Sequence, residues 1–157
     1  MKVFLSLGSN LGDKKALLEE AVSHINEKVG KVISRSSFYE TAPWGFQSEH
    51  TFYNLCCLCQ TDLTPMEVLA ATQQIEKEMG RKKKSADRQY QDRCIDIDLL
   101  LCDDLVIQTA RLTVPHPLMQ KRQFVLEPLC EIAPDAVHPV LRRTIRELFT
   151  ELQASSR

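Results

Sequence analysis

Two hydrophobic periods run along the chain and predict strands alternating with helices. Continuous or alternating apolar runs indicate strands, and apolar positions three and four residues apart indicate one face of a helix. Strands are predicted at 2–7, 31–39, 51–62, 93–101 and, as a short edge strand, at 105–107. Helices are predicted between the turn at 8–13 and Gly30, then at 65–80, 125–132 and 144–152.

Local signals mark where these helices begin and end. The run Thr64-Pro65-Met66-Glu67 has the pattern of a capping box with proline in the first turn, and Thr144 with Glu147 repeats that pattern. Gly30 and Gly80 are placed to end the two longer helices. The turn at 8–13 lacks the endings of known phosphate-binding loops, so we assign it a structural role, with Asp13 as a helix cap.

The stretch at 93–101 carries the clearest chemical signal. Its apolar residues on both sides predict a buried central strand, in which Asp96 and Asp98 share one face with Cα atoms about 7 Å apart. Buried carboxylates require a compensating cation, and Mg²⁺ completed by substrate phosphates fits two of them. The alternative is a structural acid pair bridged to Arg93 or a nearby lysine.

The segment that leads into this strand is strongly basic. Residues 81–93 include six cationic side chains and almost no apolar anchor. A charge run of this kind is usually a solvated surface. Next to two carboxylates, however, it suits an enzyme that binds a metal-chelated polyphosphate and covers it with a loop.

Two further segments combine polar or aromatic side chains with proline. The loop at 40–46 holds Trp44 and Phe46, which either fold back onto the core or form the wall of a binding site. The segment at 111–124 places cations, Thr113 and His116 around prolines that fix the backbone. A single histidine is more often structural than catalytic, so His116 is of interest only through its neighbours.

Composition narrows the function classes. The 157 residues suit one domain, at 1–157, and a formal charge of -1 offers no general attraction for nucleic acid or membranes. Six cysteines, most of which lie inside apolar runs, indicate buried thiols in a reducing compartment. The apolar run Val3–Leu7 is too short for a signal segment, so we expect a cytoplasmic protein, and we expect it to be a monomer.

These motifs together resemble the 6-hydroxymethyl-7,8-dihydropterin pyrophosphokinase family. The resemblance covers nearly the whole chain and is carried by Gly8-Ser9-Asn10, by 37–41, by Asn54, by Gln73 with Glu76, by Arg93-x-x-Asp96-Ile97-Asp98 and by 111–117. It implies an α+β fold of ferredoxin-like type, with a mostly antiparallel sheet, helices packed on one face and a terminal helix. It also implies transfer of a diphosphate from ATP to the pterin hydroxymethyl group, with release of AMP.

The resemblance also assigns roles to individual residues. Asp96 and Asp98 correspond to ligands of two Mg²⁺ ions and, with Lys83 and Arg93, to the catalytic set. The positions that correspond to nucleotide contacts are Gln73, Glu76, Lys83, Arg88, Arg93, Leu99, Arg111, Thr113, His116 and Arg122. The positions that correspond to pterin contacts are Thr41, Ala42, Trp44, Phe52, Asn54, Tyr90 and Phe124.

The chain departs from the family pattern in the basic loop. Many relatives read Arg-Trp-Gly-Pro-Arg where this chain has Gln-Tyr-Gln-Asp-Arg at 89–93. Tyr90 can still cover the pterin, and Arg88 is the available substitute for the displaced arginine. Pro117 stands where some relatives have tyrosine, which removes one nucleotide contact.

Two other function classes are consistent with parts of the pattern. A small RNA-binding module can share the fold, but it would expose aromatic side chains on the sheet rather than bury acids. A glycosyltransferase can also use an Asp-x-Asp pair with Mg²⁺, but the chain has no room for a sugar-acceptor domain.

Overall fold

The computed structural model describes residues 1–41, 51–81 and 94–155. The strands are β1 Lys2–Ser9, β2 Lys31–Arg35, β3 Tyr39–Thr41, β4 Phe52–Gln60, β5 Asp96–Cys102, β6 Ile107–Gln108 and β7 Thr113–Val114. The helices are α1 Lys14–Lys28, α2 Pro65–Arg81, α3 Gln123–Ile132 and α4 Ile145–Ser155, with a short 3-10 helix at Met119–Lys121. Within these ranges, every helix is too short or too polar to cross a membrane.

The main sheet has the strand order β2, β4, β1, β5, and every neighbouring pair is antiparallel. The short strand β3 continues the β2 side and also pairs with β4. Helices α1 and α2 form the crossovers between strands of this sheet, which gives the ferredoxin-like arrangement. The predicted fold class is therefore confirmed.

Side chains of alternate strand positions enter two separate cores. One face carries Leu5 and Leu7 of β1 and Leu55 of β4, which pack with the buried sides of α1 and α2. The other face carries Cys56 and Leu101, which pack with α3 and α4. Both faces of the sheet are thus covered, the second by the two helices near the end of the chain.

The predicted helix starts are confirmed by their hydrogen bonds. Thr64 N–H donates to Glu67 Oε1 at 2.9 Å, and Glu67 N–H donates to Thr64 Oγ1 at 3.2 Å. Thr144 and Glu147 exchange the same pair of bonds at the start of α4. These caps satisfy backbone donors that a helix leaves without an internal partner, which is why a four-residue pattern suffices to locate them.

The prediction that the Asp-x-Asp strand is central was wrong. Among the described strands β5 lies at one end of the sheet, and β4 and β1 occupy its middle. The strand is nevertheless buried, because α2 packs on it, the second core covers its other face, and His116 N–H donates to Leu100 O at 3.0 Å. An apolar run indicates that both faces of a strand are buried. Here part of that burial comes from loops rather than from a neighbouring strand.

Two strand boundaries also differ from prediction. The expected strand at 31–39 divides into β2 and β3, and Thr41 belongs to β3 rather than to a loop. The short edge strand expected at 105–107 lies at Ile107–Gln108 instead and pairs with β7 in a separate sheet of two strands. Glu40 also belongs to β3 and Arg81 belongs to α2, whereas residues 42–46 and 82–93 of the predicted loops lie outside the described ranges.

Candidate active site

Asp96 and Asp98 project from one face of β5, as their spacing predicts. Asp96 pairs with Gly8 and Asp98 pairs with Ser6, both on β1. Ile97, between them, is 6% exposed and packs in the core on the opposite face. The two carboxylates are partly buried and lie at the start of the strand, at the edge of the core.

Glu76 of α2 adds a third carboxyl group to this region. Its Oε2 accepts a hydrogen bond from Ile97 N–H at 2.7 Å, which holds the side chain against the strand that bears the aspartates. The pKa of Glu76 is raised to about 7, mainly by burial and further by the charges of Asp96 and Asp98 and a hydrogen bond with Asp96. The hydrogen bond from Ile97 N–H acts in the opposite direction and lowers this pKa. Crowded acids of this kind favour either a shared proton or a bound cation.

The donor set fits a hard divalent cation that arrives with a ligand. In the part of the chain that the structure describes, no three acidic, histidine or cysteine side chains are arranged to hold a metal ion by themselves. Mg²⁺ is usually held by one or two carboxylates and by substrate phosphates rather than by a complete protein cage. Asp96 and Asp98 match that requirement in number, type and placement.

The segment that contains His116 lies against the same strand. His116 Nδ1 accepts a hydrogen bond from Leu118 N–H at 3.1 Å, so the neutral ring carries its proton on Nε2. Burial and the charge of Arg122 lower the pKa of His116, although Asp96 acts in the opposite direction. At neutral pH the ring is therefore an uncharged N–H donor near the acidic pair.

Asn54 is a buried polar residue of β4. It is 4% exposed, and its Nδ2 donates to Thr41 Oγ1 at 3.1 Å. Gly8 lies opposite Asn54, and a Cβ atom on Gly8 would approach Asn54 Oδ1 to 2.8 Å and a ring carbon of Phe52 to 3.8 Å. The absence of a side chain on Gly8 therefore lets the Asn54 amide approach the backbone of β1 closely.

The strand register connects these groups. Gly8 pairs with Asp96 on one side and with Asn54 on the other, so all three positions form one row across β5, β1 and β4. Directly opposed residues of antiparallel strands point to the same face of a sheet. Asp96, a predicted metal ligand, and Asn54, a predicted pterin contact, thus point to one face of the sheet with Gly8 between them.

The remaining predicted residues are distributed around this row. Phe124 begins α3 on the same side of the sheet, and the Arg122 guanidinium lies 5.5 Å from the centre of its ring. Gln73 is exposed one turn before Glu76, Thr113 is the first residue of β7, and Arg111 lies two residues before it. The side chain of Leu99 is 5% exposed and packs in the core of the opposite face. The predicted residues outside the described ranges are Ala42, Trp44, Lys83, Arg88, Tyr90 and Arg93.

Sequence reasoning did not assign a site role to Gly8. The pattern placed it in a turn, whereas it belongs to β1, whose last residue is Ser9. A glycine inside a strand often marks a close approach by another group, and that signal could have identified it. The contact with Asn54 depends on strand register, which the local sequence does not contain.

The chain matches proteins of known family over most of its length. Residues 4–134 match the family described as 7,8-dihydro-6-hydroxymethylpterin-pyrophosphokinase. A 2-amino-4-hydroxy-6-hydroxymethyldihydropteridine pyrophosphokinase of Porphyromonas gingivalis is 46% identical over 138 residues, which cover 87% of this chain and 93% of the relative. The enzyme of the same name from Aquifex aeolicus is 39% identical over 149 residues, with 95% and 91% covered.

Solved structures support the fold. The HPPK-DHPS protein of Plasmodium falciparum, crystallised with pterin and p-hydroxybenzoate, superimposes with a TM-score of 0.76 at 20% identity. The match covers 98% of this chain but 43% of the solved chain, so this chain spans less than half of that protein. Identity this low establishes similarity of fold alone.

Proposed function

This chain belongs to the 7,8-dihydro-6-hydroxymethylpterin-pyrophosphokinase family, and from that premise we propose how its own residues carry out the reaction. The enzyme is an ATP-dependent diphosphokinase of folate biosynthesis. It transfers the diphosphate of ATP to the hydroxymethyl group of 6-hydroxymethyl-7,8-dihydropterin. We propose further that residues 1–157 act as one cytoplasmic, monomeric domain.

Asp96 and Asp98 are the proposed ligands of two Mg²⁺ ions. Their shared face, their partial burial and the raised pKa of the neighbouring Glu76 support a site that requires positive charge. When bound there, Mg²⁺ would neutralise phosphate charge and lower the pKa of the pterin hydroxyl group. Glu76 contributes by holding Ile97 N–H, which fixes the strand between the two aspartates.

The nucleotide is proposed to lie against β5 and the segment at 111–122. His116 offers an uncharged Nε2–H donor, and Arg122 offers a guanidinium whose charge acts on His116. Gln73, Glu76, Arg111 and Thr113 are further proposed nucleotide contacts. Leu99 would contribute through its backbone, because its side chain packs in the core of the opposite face. We assign Lys83, Arg88 and Arg93 to the phosphates on their charge and on the family resemblance alone.

The pterin is proposed to lie over the row that contains Gly8. Asn54 and Thr41 supply an amide and a hydroxyl group for the polar edge of the heterocycle, and Gly8 lets Asn54 sit close against β1. Phe52 and Phe124 are the proposed stacking partners. Ala42, Trp44 and Tyr90 are assigned to the same pocket by resemblance.

The reaction is a displacement at the β-phosphorus. The pterin hydroxymethyl oxygen forms a bond to that phosphorus, the bond from it to the oxygen of the α-phosphate breaks, and AMP leaves. The hydroxyl proton is released to solvent. The protein's contribution is to align the two substrates and to hold developing negative charge next to cationic groups.

The row of Asp96, Gly8 and Asn54 carries this proposal, because it brings the phosphate-binding side and the pterin-binding side to one face. Incubation with ATP, Mg²⁺ and 6-hydroxymethyl-7,8-dihydropterin should yield AMP and the pterin diphosphate in equal amounts. Accumulation of ADP would indicate transfer of a single phosphoryl group instead. Absence of nucleotide turnover would favour a binding module, and turnover of a nucleotide sugar would favour a glycosyltransferase.

A further inference from the structure

The connection between β2 and β3 contains an irregularity that changes register. The last pair of β2 is Arg35 with Cys57, and the first pair of β3 is Tyr39 with Asn54. Four steps along one chain therefore oppose three steps along β4, so one additional residue is accommodated, as in a β-bulge. Because side chains alternate, a shift of one residue here would turn every side chain of β3 to the other face.

A single carboxylate spans this irregularity. Glu131, near the end of α3, accepts hydrogen bonds from Ser37 N–H at 3.1 and 3.2 Å and from Ser37 Oγ at 3.1 Å. It also accepts the hydroxyl hydrogen bond of Tyr39 at 2.7 Å. Although burial acts to raise the pKa of Glu131, the bonds from Tyr39 and Ser37 lower it overall, so the group is charged at neutral pH.

The bonds of Glu131 connect two elements of the proposed pterin site. Helix α3 begins next to Phe124, and β3 ends at Thr41, whose hydroxyl group accepts the hydrogen bond of Asn54. Tyr39 and Thr41 are two residues apart on β3 and therefore share a face. A carboxylate that holds Tyr39 at that face also fixes where Thr41 points.

We propose that Glu131 is a positioning residue for the pterin site: it fixes the register of β3 against α3, so that Thr41 is held facing Asn54. This role rests on the proposed function, because it assigns Thr41 and Asn54 to the pterin. Charge-assisted hydrogen bonds are stronger and more directional than neutral ones, which suits a group that must define register.

Steady-state kinetics of Glu131→Ala test the proposal. We expect the KM for the pterin to rise about tenfold, the change that corresponds to loss of one charge-assisted hydrogen bond, with the KM for ATP within about twofold of wild type. Glu131→Gln keeps one carbonyl oxygen as an acceptor and should recover part of the loss. An equal rise in both KM values, or none in a folded variant, would overturn the proposal.

Glu19→Ala is the matched control. The Glu19 carboxylate also joins two elements, since it accepts hydrogen bonds from the Arg35 guanidinium at 2.5 and 3.3 Å and so links α1 to β2. Its removal should leave the KM for the pterin unchanged. If Glu19→Ala raised the KM for the pterin as much as Glu131→Ala, loss of any surface contact between two elements would have the same effect.

Amide hydrogen exchange gives a readout that does not require activity. Glu131→Ala should accelerate exchange at residues 37–41 and leave β2 unchanged, whereas Glu19→Ala should act on β2 alone. If wild type produces no AMP, the proposed function fails, but the exchange pattern still decides whether Glu131 fixes β3. Unchanged exchange at 37–41 in Glu131→Ala would refute the positioning role in either case.

Discussion

The substitution Gly8→Ala adds one methyl group at the centre of the proposed site. Its Cβ atom would lie 2.8 Å from Asn54 Oδ1, whereas ordinary contacts begin at 3.4 Å. Asn54 has little freedom to move, because it is 4% exposed and its Nδ2 donates to Thr41 Oγ1. The amide must therefore shift by several tenths of an ångström or rotate and lose its hydrogen bond.

The expected loss of stability follows from these contacts. Loss of a buried hydrogen bond lowers the free energy of unfolding by about 1–3 kcal/mol. Replacing glycine by alanine within a strand raises it by roughly 0.5–1 kcal/mol, because the unfolded chain has less entropy. We therefore expect Gly8→Ala to lower the free energy of unfolding by about 1–2 kcal/mol. We also expect the KM for the pterin to rise at least about tenfold, because Asn54 no longer presents its amide correctly.

A double-mutant cycle of Gly8→Ala and Asn54→Ala, measured by urea unfolding, isolates the contact between position 8 and Asn54. Once Oδ1 is absent, alanine at position 8 should be tolerated, so the two substitutions should show a coupling of about 1 kcal/mol or more. Gly80→Ala is the matched control, since a Cβ there has no neighbour within 4 Å among the described residues and should stabilise α2 by up to about 1 kcal/mol. Equal destabilisation by Gly8→Ala with and without Asn54 would show that the added methyl group does not act through Asn54.

Three further predictions follow from the site and from the helix caps. Asp98→Ala should abolish AMP production while the circular dichroism spectrum stays unchanged. An active variant would contradict the proposed role of Asp98 as a metal ligand. In metal-free buffer the unfolding free energy should fall by about 1–2 kcal/mol as pH rises from 5 to 7. The reason is that the raised pKa of Glu76 keeps a proton bound in the native state that the unfolded state has already lost. Glu76→Gln should flatten this pH dependence. Thr144→Ala should lower the unfolding free energy by about 1 kcal/mol with kinetics unchanged, since it removes a cap remote from the site; altered KM values would contradict this.

Features determined by a few neighbouring residues could be predicted from the sequence. The capping boxes at Thr64 and Thr144 depend on four residues each, and both are confirmed. The shared face of Asp96 and Asp98 follows from the period of a strand, whichever strand is its neighbour. The family motifs identified the reaction because they combine several such local patterns.

Features determined by tertiary contacts could not be predicted in this way. The position of β5 at the end of the sheet depends on strand pairing, and its burial depends on the segment that contains His116. The division between β2 and β3 depends on Ser36, whose N–H and Oγ both bond to Cys56 of β4. The roles of Gly8 and Glu131 arise from contacts 46 and 94 residues away in sequence, which no local pattern records.

Asp96 and Asp98 are proposed to hold magnesium that arrives with the nucleotide. Mn²⁺, a paramagnetic substitute for Mg²⁺, can be titrated against the protein in the presence of α,β-methylene ATP, which is not cleaved at the bond in question. We predict about two Mn²⁺ ions per chain for wild type and at most about one for a folded Asp98→Asn variant. Equal Mn²⁺ binding by the two proteins would show that Asp98 is not a ligand of the metal.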